Sequence, residues 1–151
     1  MANRIPHCAE IFSGALCGTE ADTRALGRRV GAAAQGRMAL SLEGALGAGK
    51  TCFVQGLAEG LGLDASDVSS PTFPLVHEYP GGRHPLVHFD LYRLEFEEEL
   101  VLLGFDEYLQ APGICAIEWG GKFPRALPPG TWRIHFSIVP EGRRIQAAVL
   151  P

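Results

Sequence analysis

The chain has few lysines and cysteines, no long apolar run and no excess of positive charge among its 151 residues. A net charge of −4 argues against a protein that wraps nucleic acid with a basic surface. The N-terminus lacks the apolar stretch of a signal peptide, and no segment approaches the roughly 18 apolar residues of a membrane span. We therefore expect a cytoplasmic protein with no membrane partner and no direct DNA binding.

Cysteine and histidine spacing gives no sign of a disulfide framework or a zinc site. The four cysteines contain no C-x-x-C pair, which is typical of reduced thiols: Cys8, Cys17, Cys52 and Cys115. The histidines from His77 onward match no zinc-ligand spacing. We expect His77 and His88 to face each other across a hairpin in a structural role.

Only two of the 13 basic residues are lysines, and one of them, Lys50, stands in the segment GALGAGKT (44–51). This segment fits the phosphate-loop pattern G-x-x-x-x-G-K-[ST], and a compact ammonium suits a tight phosphate cradle. The preceding RMALSLEG (37–44) predicts a strand, and KTCFVQGLAEGLG predicts a helix ended by Gly62. Because pattern and context agree, we interpret the segment as a nucleotide-binding loop rather than a chance glycine-rich turn.

The rest of the chain predicts alternating strands and helices in a single domain over residues 1–151. The expected elements are a strand (10–17), a helix (19–36), a hairpin of Leu75–Tyr79 and Pro85–Phe89, one or two helices broken at Gly104 (95–110), a buried strand (113–121) and a closing hairpin (131–139 and 143–150). These elements predict an α/β fold, specifically a P-loop NTPase-like three-layer domain with a mixed, largely parallel central sheet flanked by helices. The acidic run around Glu97 is most simply a solvated helix face.

Two acids end apolar strands and are candidate Mg²⁺ ligands. Asp90 ends PLVHFD and Glu118 ends ICAIE. Each could merely cap a strand, but Mg²⁺ takes only one or two protein carboxylates, and two such acids beside a phosphate loop favour a metal role. The Thr51 hydroxyl would also bind Mg²⁺, and Lys50 would reach the β- and γ-phosphates. Asp90 or Glu118 would orient the attacking water, and spacing does not distinguish them.

A loop of Ser70, Pro71, Thr72 and Phe73 follows the phosphate-loop helix. Thr72 could reach Mg²⁺ or the γ-phosphate as a switch element does. A simple Ser-Pro turn is the alternative, and the residues alone favour it.

Read in order, the motifs GALGAGKT, VSSPTF, HFDLYRL, LGFDEYL and IEW resemble the TsaE family over about residues 19–145. These are small bacterial P-loop ATPases of tRNA threonylcarbamoyladenosine synthesis. The resemblance implies ATP and Mg²⁺ as ligands and Lys50, Asp90 and Glu118 as catalytic residues. It implies Thr51, Asp90 and Glu118 as metal ligands. The implied nucleotide-binding residues are Thr19, Glu20, Gly44, Leu46, Gly47, Ala48, Gly49, Lys50, Thr51, Cys52, Thr72, Trp119 and Arg143.

The resemblance also implies a role and partners. A member of this family docks on the TsaB–TsaD complex, and its ATPase cycle supports formation of the threonylcarbamoyl group on adenosine 37 of tRNAs that read codons beginning with A. Contact with tRNA would be indirect, through that complex. Two positions depart from the family pattern. Ala45 replaces a residue that is often acidic, which could change the hydrolysis rate, and Cys52 replaces a frequent threonine.

Three other functions fit a phosphate loop. A small kinase would need an acceptor pocket and usually an arginine-bearing lid, for which no arginine cluster is evident. A GTPase would usually carry N-K-x-D, and neither lysine lies in that motif. A non-enzymatic module would use ATP only as a structural ligand that controls partner binding.

Overall fold

A computed structural model describes residues 14–69 and 75–151 of the chain. The strands are β1 (Ala15–Cys17), β2 (Arg37–Gly44), β3 (Val76–Tyr79), β4 (Leu86–Asp90), β5 (Gly113–Glu118), β6 (Trp132–Val139) and β7 (Gly142–Val149). The helices are α1 (Glu20–Ala33), α2 (Lys50–Gly60), α3 (Glu98–Leu103) and α4 (Phe105–Gln110).

All seven strands form one sheet in the order β1-β7-β6-β2-β5-β4-β3. The four central strands, β6, β2, β5 and β4, run parallel, so their carboxyl ends meet at one edge. Antiparallel pairings add β3 on one side and β7 with β1 on the other. Ligands of open α/β sheets bind at the carboxyl edge, where β2 here continues into the glycine-rich loop.

Helices cover both faces of the sheet, which gives the expected three layers. On one face, Leu40, Leu42 and Ile114 pack with residues of α1 and α2. On the other, Ile117 and Phe89 pack with Phe105 of α4. The alternation along β5 explains both clusters, because neighbouring residues of a strand point to opposite faces. The expected α/β fold with a mixed sheet is confirmed.

Helices α1 and α2 cross at backbone contact through glycines four residues apart on each. A Cβ added at Gly56 would lie 1.9 Å from the carbonyl oxygen of Arg24, and one at Gly27 would lie 2.2 Å from that of Phe53. Gly31 and Gly60 extend the contact by one turn, with equally short approaches. Any residue larger than glycine at these positions would therefore force the helices apart and move the loop at the start of α2.

Most predicted boundaries hold within two residues. The strand predicted over 10–17 begins outside the described residues, and α3 begins at Glu98 rather than residue 95. Helix α1 ends at Ala33, slightly before the expected end at Gly36, where the Arg83 guanidinium donates to the carbonyls of Gly31 and Ala32. Helix α2 ends at Gly60, and Gly62 follows in a left-handed conformation, in agreement with the predicted end. Strand β5 ends at Glu118 because Trp119 turns the chain with a φ of 64°.

Both hairpins are confirmed, as is the break at Gly104. His77 and His88 are Cα partners across β3 and β4, in agreement with the expected pairing. Gly104 lies between α3 and α4 in a left-handed conformation. Within residues 14–69 and 75–151, no helix combines the length and the apolar character needed to span a bilayer.

Candidate nucleotide-binding site

The glycine-rich loop connects β2 to α2 in the geometry that a phosphate site requires. Gly47 and Gly49 have φ angles of +78° and +105°, a region in which side chains other than glycine are strained. Gly49 is the N-cap residue of α2, and Lys50 and Thr51 form its first turn. The free N–H groups and the dipole of this helix end favour an anion.

Lys50 lies inside the loop with only 4% of its surface exposed. Its Nζ donates hydrogen bonds to the carbonyl oxygens of Gly44 and, at 3.5 Å, Ala45. Burial lowers the pKa of Lys50, while the negative charges of Glu118 and Asp90 oppose that shift. The ammonium is therefore held at the loop by dipoles that a phosphate could replace.

Trp119 forms the floor beneath this ammonium. The Lys50 Nζ lies 3.9 Å from the centroid of the Trp119 ring, a cation–π contact. Tyr92 also packs against Trp119, with ring centroids 5.0 Å apart. Lys122 fixes this segment, because its Nζ donates to the carbonyl oxygens of Tyr92 and Leu94, each at 2.6 Å. The second lysine of the chain thus supports the platform of the first.

The expected metal ligands converge at the carboxyl ends of β4 and β5. The Thr51 hydroxyl donates to Glu118, with Oγ1 lying 3.3 Å from Oε2 and 3.5 Å from Oε1. Asp90 is the Cα partner of Glu118, and its Oδ1 accepts a hydrogen bond from the Tyr92 amide. A backbone hydrogen bond also connects the ends of β4 and β5, because the Leu91 amide donates to the Glu118 carbonyl oxygen.

This donor set suits Mg²⁺. Hydroxyl and carboxylate oxygens are its preferred protein ligands, and nucleotide phosphates and water usually complete its shell. Within the part of the chain that the structure describes, no group of three or more His, Cys, Asp and Glu side chains could hold a metal ion by itself. The arrangement fits an ion that binds together with a nucleotide.

His88 belongs to this site as well, although its sequence pattern predicted only a structural role. His88 is fully buried, and its Nε2 lies 2.6 Å from Oε2 of Glu118. Its Nδ1 is buried and has no hydrogen-bond partner among the described residues. The motif H-x-D contained the signal, because residues i and i+2 of a strand share a face. His88 and Asp90 therefore lie on the same face of β4.

A cleft of about 180 Å³ lies beside the loop and contains most of the other expected nucleotide-binding residues. Its lining includes Thr19, Glu20, Gly47, Gly49, Cys52 and Arg143. The Arg143 guanidinium bridges the carbonyl of Gly47 at 3.2 Å and that of Gly142 at 3.0 Å. Residues from opposite ends of the chain meet here because β7 pairs with β1.

Some residues in this cleft also have structural tasks. The Thr19 side chain accepts from the Asp22 amide and caps α1. The Cys52 thiol lies 3.2 Å from the Glu20 carbonyl oxygen, which joins α1 to the first turn of α2. Burial raises the pKa of Cys52, so its thiol stays protonated at neutral pH.

Three expected binding residues differ from the rest in placement. The Leu46 side chain is exposed on the loop, whereas that of Ala48 is fully buried. The Ala48 amide donates to the Ala45 carbonyl at 3.1 Å. Thr72 and its neighbours from Ser70 to Phe73 lie outside the described residues.

The chain is similar to known proteins in sequence and in fold. A family model described as threonylcarbamoyl adenosine biosynthesis protein TsaE matches residues 17–145. The tRNA threonylcarbamoyladenosine biosynthesis protein TsaE of Treponema pallidum is 42% identical over 123 residues, which cover 82% of this chain and 90% of that protein. Its counterpart in Bacillus subtilis is 46% identical over 107 residues, covering 71% of this chain and 66% of that protein, slightly under two thirds.

A solved structure agrees with these sequence matches. The crystal structure of YdiB from Bacillus subtilis resembles this chain with a TM-score of 0.71 at 34% identity. The likeness covers 87% of this chain and 81% of YdiB. The fold, the phosphate loop and the extent of the sequence match lead to one conclusion: the chain belongs to the TsaE family.

Proposed function

We propose that this chain is a Mg²⁺-dependent ATPase that acts with the TsaB–TsaD complex to form the threonylcarbamoyl group on adenosine 37 of tRNAs reading codons that begin with A. One observation carries the proposal: Lys50 and Thr51 begin α2, and the Thr51 hydroxyl lies 3.3 Å from the carboxylate of Glu118. The names of the relatives support the pathway. The net charge of −4 agrees with indirect contact to tRNA, made through the partner complex.

In this proposal, ATP phosphates replace the carbonyl oxygens that now surround the Lys50 ammonium. Loop amides and Lys50 stabilise the charge that develops as water attacks the γ-phosphate. Thr51, Asp90 and Glu118 would hold Mg²⁺, which would supply further charge neutralisation. Glu118 or Asp90 orients the attacking water. Arg143 and Cys52 border the cleft beside the loop, where the remainder of the nucleotide fits.

ATP hydrolysis by the purified protein, alone and with TsaB, TsaD and tRNA, tests the proposal. We expect slow turnover alone, an increase with the partners, and loss of turnover in Lys50→Ala and Glu118→Ala. Lys50→Ala should also lose tight ATP binding, because no second cation replaces its ammonium in the described part of the loop. Micromolar ATP affinity retained by Lys50→Ala would reject the loop assignment. An ATP turnover rate that does not change when the partners are added would favour a kinase, whose acceptor substrate should then be sought.

A further inference from the structure

The loop and its expected ligands do not explain what holds the Glu118 carboxylate in place. Glu118 is 4% exposed, and the Thr51 hydroxyl donates a hydrogen bond to its carboxylate. Lys50 precedes Thr51 along the chain, and its Nζ lies 3.9 Å from the ring centroid of Trp119, the residue after Glu118.

A direct ion pair between Lys50 and Glu118 would obstruct the proposed chemistry. Such a pair would engage the ammonium that is expected to bind phosphate. It would also engage the carboxylate that is expected to bind Mg²⁺ or orient water. The two charges do interact, since Glu118 raises the pKa of Lys50 against the effect of burial. Among the described residues, however, the hydrogen bonds of Lys50 go to carbonyl oxygens, and it forms no ion pair with Glu118. Something else must therefore hold the carboxylate in place.

His88 is the group that does so. Its Nε2 lies 2.6 Å from Oε2 of Glu118, the shortest hydrogen bond at this carboxylate, and the imidazole is completely buried. A carboxylate is an acceptor only, so Nε2 carries the hydrogen and donates. The strands fix the ring in turn, because β4 pairs with β5 and His88 is the Cα partner of Ala116, two residues before Glu118.

We infer that His88 is a positioning residue that holds the Glu118 carboxylate toward Thr51. This inference rests on the proposed nucleotide site. His88 anchors Oε2, which also lies 3.3 Å from the Thr51 hydroxyl, while Oε1 lies 3.5 Å from the same hydroxyl and, in the part of the chain that the structure describes, forms no hydrogen bond with the imidazole. The Nδ1 atom supports the assignment, because it is buried without a hydrogen-bond partner among the described residues, and such atoms are rare in folded proteins.

Four variants and a matched control separate this role from packing. His88→Leu removes the donor, and His88→Gln retains an N–H near the position of Nε2. Glu118→Gln and the double variant His88→Leu/Glu118→Gln complete a thermodynamic cycle. His77→Leu removes the imidazole that faces His88 from β3 and that contacts Tyr79 rather than Glu118. Thermal melts verify that each variant folds.

The first readout is the gain in affinity for a fluorescent ATP analogue when Mg²⁺ is added, and the second is kcat. We expect His88→Leu to lose about tenfold or more in both, as for other residues that orient metal ligands. Metal-free nucleotide affinity should change less than twofold, a split that a general loss of structure would not produce. His88→Gln should recover most of the effect, and His77→Leu should resemble the wild type.

In the Glu118→Gln background, replacing His88 with leucine should have little further effect. An equal loss in both backgrounds would overturn the inference, as would a wild-type response of His88→Leu or a His88→Gln variant no better than the leucine one. A wild-type protein that binds no ATP would instead reject the proposed function. The two failures are therefore distinguishable.

Discussion

Alanine at Gly56 is the most direct test of how the helix pair holds the phosphate loop. The added Cβ would lie 1.9 Å from the Arg24 carbonyl oxygen and 2.8 Å from its carbon. Both atoms belong to the backbone of α1, so neither can rotate away as a side chain would. The only relief is for α1 and α2 to separate.

Two opposing effects set the size of the destabilisation. In a helix interior, alanine is favoured over glycine by about 1 kcal/mol. Overpacking a close contact costs about 1–3 kcal/mol, and a clash with immobile backbone lies at or above the upper end of this range. The clash therefore exceeds the gain in helix propensity, and we expect a net loss of about 2 kcal/mol in the free energy of unfolding.

Thermal unfolding followed by circular dichroism measures this effect. For a chain of this length, about 2 kcal/mol corresponds to a decrease in Tm of about 4–8 °C. Gly31→Ala should behave alike, because its Cβ would lie 2.3 Å from the Leu57 carbonyl oxygen. Ala32→Gly, at an exposed position of α1, serves as the control for helix propensity and should lose only about 1 kcal/mol.

A Tm for Gly56→Ala equal to or above that of the wild type would refute the reasoning. Helix propensity would then outweigh the contact, and the helices would not need glycine at their crossing. The double variant Gly56→Ala/Gly31→Ala adds a second criterion. If both glycines serve one interface, separating the helices once should satisfy both, and the combined loss should be less than additive.

Two further predictions follow from the remaining contacts of α1 and α2. Cys52 lines the cleft and is partly exposed, so saturating ATP should slow its alkylation, which peptide mass spectrometry measures. Cys115 is the unreactive internal reference, because it is buried and burial raises its pKa to about 12. Equal labelling with and without ATP would place the nucleotide elsewhere. Hydrogen bonds from Arg28 and Arg24 lower the pKa of Glu59 below its ordinary 4.5, so its contribution to stability is present above that value and lost as the pH falls through the folded pKa. Urea denaturation should therefore show Glu59→Gln less stable by about 0.5–1 kcal/mol at neutral pH and nearly equal at about pH 3, and a constant difference would contradict the ion pair.

The sequence predicted those elements whose side-chain pattern is local. Strand β2 and the loop after it follow directly from RMALSLEG and GALGAGKT, and the prediction matches the bounds Arg37–Gly44. The hairpin of β3 and β4 and the break at Gly104 follow from turn-forming residues. Errors occurred where distant residues decide the outcome. Helix α1 ends early where Arg83, 50 positions further on, binds its last carbonyl groups.

The sequence also contains a pattern that indicates the helix crossing, namely the spacing of its glycines. Gly27 and Gly31 are four residues apart, as are Gly56 and Gly60, and isolated glycines in helices ordinarily count against a helix. Only a partner backbone explains why both helices tolerate them. A periodic pair of glycines on two successive helices is therefore better read as a contact surface than as four unfavourable residues.

In the candidate site, too, residues in local patterns were predicted and a residue that depends on a distant contact was not. Lys50, Thr51, Asp90 and Glu118 were identified because each follows a strand or belongs to a loop pattern, and parallel strands bring their ends together. His88 was missed because a buried histidine is usually structural, and its importance depends on a contact between side chains 30 residues apart. Its pairing with Ala116 could be deduced only after the register of β4 and β5 was known. Register shifts by one residue would turn His88 to the opposite face, so the hydrogen bond to Glu118 depends on the sheet as a whole.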